Sequence, residues 1–283
     1  MSELVVRRLL IDLQPPFARN WCGGDAFSTA FFNALSMSFP FGEQFFIDAV
    51  RDAVATLPPE AQEQYRADVR GFIGQEATHR RIHSLFNDHL KNQGLVDGWT
   101  ARANKRMALM EEADPRHALA VTAATEHFTA MFAEWLLARP EVLDGAEPRL
   151  RTMWLWHCAE ELEHKSVAFD IYKATGGSDE WRTRWFRRVT VMFLGDLMHQ
   201  TLDNLRHEKQ LWKWATWKSA ARILLSRNGL LRGNLSGWRS YLKADFHPAQ
   251  QDSSLSTRWL ADNRSQYTPV GTAAAPEAAA AAQ

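Results

Sequence analysis

Four glutamates and two histidines repeat one pattern along the chain: Glu43, then Glu76-Ala-Thr-His79, then Glu126, then Glu161-Leu-Glu-His164. In Glu-x-x-His the two side chains stand at i and i+3, neighbours on one helical face, so each motif can offer a carboxylate and an imidazole to one metal ion. The lone glutamates precede their partner motifs by 33 and 35 residues. Pro58-Pro59 lies beside the midpoint of the first interval, and Pro140 to Pro148, with Gly145, encloses the midpoint of the second. If each interval is a helical hairpin, each lone glutamate meets its Glu-x-x-His at the same height. Four carboxylates and two imidazoles then converge on one level of a bundle, the ligand set of a carboxylate-bridged two-metal centre. Four carboxylates balance two divalent ions, and a mixed oxygen and imidazole set suits iron or manganese better than a thiophilic metal. The expected metal ligands are therefore Glu43, Glu76, His79, Glu126, Glu161 and His164. The expected cofactor is two iron ions, with manganese or zinc as alternatives.

Taken singly, a Glu-x-x-His is usually a solvated pair on a helix surface. A glutamate amid apolar residues is another matter, because burying an unpaired charge is costly. Glu43 stands among Phe39, Phe41, Phe45, Phe46 and Ile47, and Glu126 among alanines and threonines. Glu160 and Glu163 crowd the second motif, but Glu161 with His164 keeps the i, i+3 spacing, whereas Glu160 with His164 is the weaker i, i+4 option. His83 and His157 lie one turn from ligands on the same faces. They read as partners of neighbouring carboxylates or as extra ligands, and as the candidate catalytic residues if a general base is needed. Asp196-x-x-His199 reads as an exposed or core pair rather than a part of the site.

The elements that must carry these residues are helices. A helix is expected from Asp25 or Ser28, broken or kinked at Phe39-Pro40-Phe41-Gly42, and resumed from Glu43 to about Thr56. A long helix from Glu60 to about Asn92 carries Phe72, Glu76, His79, His83, Phe86 and Leu90 on one stripe. Residues 96–113 provide the connection between hairpins. Asp114-Pro115 opens a third helix to about Arg139, with Leu119, Thr122, Ala123, Glu126, Ala130 and Ala133 facing inward. The fourth spans about Leu150 to Thr175, with Trp154, His157, Glu161, His164 and Ala168 on one face. The fold class is all-α: a ferritin-like four-helix bundle with one long crossover and additional C-terminal helices. The expected divisions are an irregular segment at 1–24, with a short extended piece at Leu4-Val5-Val6, and the metal-binding bundle at 25–177. A basic, tryptophan-rich helical extension packed on the bundle at 178–250 follows, then a mostly disordered alanine-rich tail at 251–283.

Composition excludes several classes. Of 283 residues, 46% are hydrophobic and 23% charged, with zero net charge, so there is no bulk electrostatic reason to bind nucleic acid. Cys22 and Cys158 are too few for a disulfide framework and fit reduced thiols in the cytoplasm, the expected location. No run approaches a membrane span of about 20 apolar residues. The region 178–247 holds 13 Lys/Arg against 6 Asp/Glu and six tryptophans. It reads as helices covering the bundle, tryptophans inward and arginines outward, with peripheral membrane contact or a homodimer interface as the other uses of that surface.

The stretch Leu35-Ser-Met-Ser-Phe-Pro-Phe-Gly-Glu43-Gln-Phe-Phe, then Gln75-Glu76-Ala77-Thr78-His79 with His83, then Glu160-Glu161-Leu-Glu-His164-Lys165, resembles the bacterial family called "predicted metal-dependent hydrolase". Tyr241-Leu-Lys-Ala-Asp-Phe246-His247-Pro248 is similar to that family's C-terminal signature. The resemblance covers roughly residues 5–250 and implies metal binding and a hydrolase activity. The ligand pattern itself is similar to ferritin-like di-iron proteins, whose chemistry is usually oxidative. Three functions follow as expectations: oxidation or hydroxylation of a small organic substrate by dioxygen at a di-iron centre, metal-assisted hydrolysis with an activated water, and non-catalytic iron binding.

Overall fold

The computed structural model describes residues 4–108 and 114–270. Among them the protein is all-α apart from one pair of short strands. The first long helix, α1 (Ala26–Val54), starts where Asp25 caps it: Asp25 Oδ1 accepts the backbone N–H of Ser28 at 2.7 Å. Leu57 and Pro58 turn the chain, and Pro59 opens α2 (Pro59–Asn92) at a position where its missing N–H costs nothing. Gly94, in the left-handed region at φ +90°, stops α2, and the Leu95 N–H reaches back to the Leu90 carbonyl at 3.0 Å. The short α3 (Trp99–Ala108) lies in the connection to α4 (Pro115–Leu137), which Asp114 caps through Arg116. Residues 109–113 of that connection lie outside the described residues. A turn containing a short 3-10 piece leads to α5 (Pro148–His164) and α6 (Val167–Ala174).

Two hairpins result, α1 with α2 and α4 with α5, and α1 also packs on α4. The inward stripes expected of α2, α4 and α5 are all buried. They form two apolar layers. One gathers Phe39, Phe86, Ala130 and Trp154; the other gathers Phe46, Phe72, Ala123 and Ala168. The candidate ligands lie between the two in sequence on every helix, so the polar level is sandwiched by hydrocarbon.

Four expectations are corrected. The break at Phe39-Pro40-Phe41-Gly42 does not occur, and α1 runs through Pro40. Proline cannot bond the Ser36 carbonyl, but Asn87 on α2 donates its Nδ2–H to that oxygen at 2.9 Å, which replaces the lost bond. The helix expected over Leu150 to Thr175 is interrupted at Lys165-Ser166, where a C-terminal segment docks: Lys165 Nζ donates to the Gln251 carbonyl at 2.7 Å and to Ser253 Oγ at 2.8 Å. Residues 251–270 are not a tail. They hold α11 (Ser254–Asp262), which packs on α5 and α4, and the strand β2 (Tyr267–Pro269); residues 271–283 lie outside the described residues. The extended piece near Leu4 is displaced to β1 (Arg7–Leu9), which pairs antiparallel with β2. Leu4 and Val6 lie so close to α2 that a Cβ added to Gly71 or Gly74 would come within 2.4 Å and 2.3 Å of their side chains.

Between these, α7 (Asp179–His207) packs on α1 and α4, followed by α8 (Trp214–Leu225), α9 (Leu230–Gly233) and α10 (Leu235–Tyr241). The inward-tryptophan, outward-arginine reading holds for Trp181, Trp185 and Trp238, which pack in or against the core, and for exposed arginines such as Arg184, Arg187 and Arg188, but not throughout. Trp185 is buried, but Trp212 and Trp214 are 93% and 80% exposed. Arg182 is buried instead of exposed, its guanidinium donating to the Tyr241 and Lys243 carbonyls. Among the described residues no helix is long and apolar enough to cross a membrane.

Candidate metal centre

Glu43 from α1, Glu76 and His79 from α2, Glu126 from α4, and His157, Glu161 and His164 from α5 meet at the polar level, each at most 4% exposed. Donor atoms within 4.8 Å of one another form four overlapping groups: Glu43, Glu76 and His79; Glu76, Glu126, Glu161 and His164; His79, His157 and Glu161; and Glu43, His83 and His157. All six residues expected to bind metal are thus together. Asp196 and His199 are elsewhere: Asp196 pairs with Arg102 at 2.7 Å and with Arg106, and His199 pairs with Asp203 at 3.3 Å.

Three imidazoles point a nitrogen at this level, and in each case the other nitrogen is committed outward. Gln75 Nε2 donates to Val5 and Glu163, so its Oε1 must accept, and His164 Nδ1–H donates to it at 2.9 Å. His164 Nε2 then faces Glu76 at 3.0 Å, Glu126 at 3.4 Å and Glu161 at 3.7 Å. His79 Nε2–H donates to Glu160 at 3.0 Å, which leaves Nδ1 facing Glu161 at 3.4 Å. Asn87 Oδ1 can only accept, so Ser36 Oγ–H donates to it, and Ser36 in turn accepts from His83 Nδ1–H at 2.8 Å. Burial holds His83 well below its usual pKa, so it is neutral and its Nε2 accepts from His157 Nδ1–H at 2.7 Å. His157, lowered to about 4 chiefly by burial, is neutral too, which leaves a bare Nε2 at 2.9 Å from Glu161 Oε1. Burial favours a protonated Glu161, but the charge of His164 beside it holds its carboxyl well below the usual range. A lone pair and a carboxylate that close repel unless a proton or a metal ion is shared between them.

The carboxylates make the same demand. Both oxygens of Glu43, Glu76 and Glu126 are buried and lack a hydrogen-bond partner, as do His79 Nδ1 and His164 Nε2. Buried carboxylates normally have partners because leaving them bare costs several kcal/mol. Without a metal the strain appears as proton uptake: burial pushes Glu126 up to about 8 and Glu43 well above the carboxylate range. The donor set and its unpartnered atoms fit a metal.

Some of the supporting residues are not visible as such in the sequence. Arg7 of β1 donates to Glu160 at 3.0 Å and to both oxygens of Glu163 at 2.6 and 3.0 Å, so one guanidinium fixes the two carboxylates that orient His79 and Gln75. Nothing in its local sequence marks Arg7. The i, i+3, i+4 crowding of glutamates around His164 was the only signal for Glu160 and Glu163.

A model of the family described as "predicted metal-dependent hydrolase" matches residues 5–252. The chain belongs to this family. Neither the curated proteins nor the solved structures include a match to it. Membership joins a metal-dependent hydrolase description to a buried cluster able to hold metal. The C-terminal stretch that resembles the family lies away from the cluster: Tyr241 and Phe246 enclose Arg182, and His247 pairs with Asp170 at 2.7 Å. Its role is to hold α7 and α10 on the bundle.

Proposed function

We propose that the chain is an enzyme whose buried centre holds two divalent metal ions in a ferritin-like carboxylate bundle, and that it hydrolyses a small organic substrate. The observation that carries the two-metal reading is sharing. Glu76 belongs to the group with Glu43 and His79 and also to the group with Glu126 and His164, and Glu43, His79, His157 and Glu161 are each shared between two groups as well. In this reading Glu43, Glu76, His79, Glu126, Glu161 and His164 would hold the two ions between them. His157 joins them as a ligand rather than a base, because its bare Nε2 already faces inward. His83 acts through it as a positioning residue. When bound, the ions supply Lewis acidity toward a water and a substrate oxygen. The protein fixes the ligand rings through Glu160, Gln75 and His83. Phe39, whose ring lies 4.6 Å from both His83 and His157, keeps water off that side.

A second reading, oxidation of the substrate by dioxygen with iron, is favoured by one observation. The donors are oxygen and imidazole without thiolate, next to an apolar cavity wall. Metal analysis of the purified protein is expected to give roughly two ions per chain, lost in both Glu76→Ala and Glu161→Ala while circular dichroism stays helical. Reconstitution then separates the reactions. Ester or phosphoester cleavage with zinc or manganese supports hydrolysis, and oxygen consumption by the ferrous protein supports oxidation. One ion per chain, or metal content unchanged in the variants, overturns the two-metal reading.

A further inference from the structure

A cavity of about 380 Å³ opens from the cluster, with His157 and Glu161 in its wall. Its size lies within the range of small-molecule sites, roughly 300–1,000 Å³. Three helices give its direction. It is lined on α1 by Phe39, Leu35 and Phe31, on α4 by Thr129, Phe132 and Ala133, and on α5 by Trp154. Phe31 stands twelve residues before Glu43, about 18 Å along a helix at 1.5 Å per residue. Ala133 is seven residues after Glu126 and Trp154 seven before Glu161, each about 10 Å. All three displacements lead toward the end of the bundle where the α4–α5 turn meets the start of α1, marked by the Cys22–Ala146 bridge. The cavity is therefore a channel alongside the bundle axis with the cluster at one end.

Its chemistry is uniform. Among the described residues, Glu161 and His157 are the only ones lining it that carry a carboxylate or an imidazole, and no lysine or arginine does. Of the neutral polar groups, the Trp154 indole N–H is buried without a partner, while three others are satisfied within the protein. Thr129 Oγ1 donates to the Glu126 carbonyl, Thr190 Oγ1 to Phe186, and Asn234 Nδ2 to Leu230. A sugar, a nucleotide or a phosphorylated substrate would leave its hydroxyls or charges unpaired along this wall. The rim is apolar too: Leu194, Leu231 and Leu235 line the cavity and are 38%, 44% and 44% exposed.

Resting on the two-metal reading, we infer that the substrate carries a slender hydrocarbon chain that lies in this channel and presents its polar, reacting group to Glu161 and His157. The reacting bond is at the chain's polar end, as in an alkyl or acyl ester.

The test is calorimetric binding of straight-chain 1-alkanols, butanol through dodecanol, to the full chain, with adenosine as the polar control. Affinity is expected to rise about fourfold per methylene, the factor expected from burying one CH₂, and adenosine is expected not to bind. Ala133→Phe fills the channel and is expected to weaken dodecanol at least tenfold while leaving butanol within threefold. Leu231→Glu, at an exposed rim position that does not threaten folding, is expected to weaken every chain. Affinity independent of chain length, adenosine binding as tightly as octanol, or dodecanol binding unchanged in both variants overturns the inference. The outcome is separable from the metal reading. Glu76→Ala is expected to lose metal and keep alkanol binding, so loss of length dependence in a protein that retains its metal counts against the channel alone.

Discussion

Each imidazole at the centre is held from behind, and the consequence is measurable as protons. In the metal-free protein burial carries Glu126 to about 8. His79 would be lowered by burial, but the hydrogen bond to Glu160 and the charges of the carboxylates around it outweigh that and carry its pKa to about 10. At pH 7 both therefore hold a proton that a metal must displace. The sign follows directly. Metal uptake at pH 7 is expected to release at least one proton from Glu126 and one from His79, and apparent affinity is expected to rise with pH up to about 8 and then less steeply. A titration in weak buffer with a pH indicator measures both. Uptake without proton release at pH 7 would mean that the ion sits elsewhere.

At the scale of elements, the joint between α1 and α2 ties helix geometry to the site. Pro40 removes the N–H that would bond the Ser36 carbonyl, and Asn87 replaces it while its Oδ1 orients Ser36 and, through it, His83. Asn87→Ala leaves a buried carbonyl unsatisfied and is expected to cost about 1–3 kcal/mol in urea unfolding with an unchanged m-value. Pro40→Ala restores the helical N–H, so it is expected to recover much of that loss in the Asn87→Ala background and to do little in the wild type. Equal effects of Pro40→Ala in both backgrounds would break the link. This joint also explains what the sequence could and could not reveal. The four helices were legible because the hydrophobic stripes of α2, α4 and α5 have helical period, and the convergence of the six candidate residues was legible because their spacing repeats. Continuity through Pro40 was not, because the compensating amide is 51 residues away. The break at Lys165 was equally hidden, since the segment that docks there, through the Gln251 carbonyl, is 86 residues away. Local propensity reports neither.

Across the whole molecule, the centre depends on the two ends of the described chain. Arg7 reaches Glu160 and Glu163 because β1 is held on both sides: Leu4 and Val6 lie against Gly71 and Gly74 of α2, and Arg7 to Leu9 pair with Tyr267 to Pro269. The Arg7 guanidinium also lies 5.4 Å from the Tyr267 ring. None of this was legible, because residues 251–270 are polar enough to read as a tail and contribute to the core through Leu255, Trp259 and Leu260. The coupling makes a prediction that no ligand-by-ligand view makes. A chain ending at 262 keeps α11 and every candidate ligand but loses β2. It is expected to bind metal 10–100-fold more weakly, the usual effect of removing a hydrogen-bonding group behind a ligand. Arg7→Met is expected to cause a loss of the same size in the full chain. If β2 acts by placing Arg7, the two changes together weaken binding no more than either alone, whereas independent effects would multiply. Competition with a chromophoric chelator measures all four proteins. Multiplying losses would show that β2 supports the centre by some route other than Arg7, and an unchanged affinity in the shortened chain would uncouple the strand pair from the metal altogether.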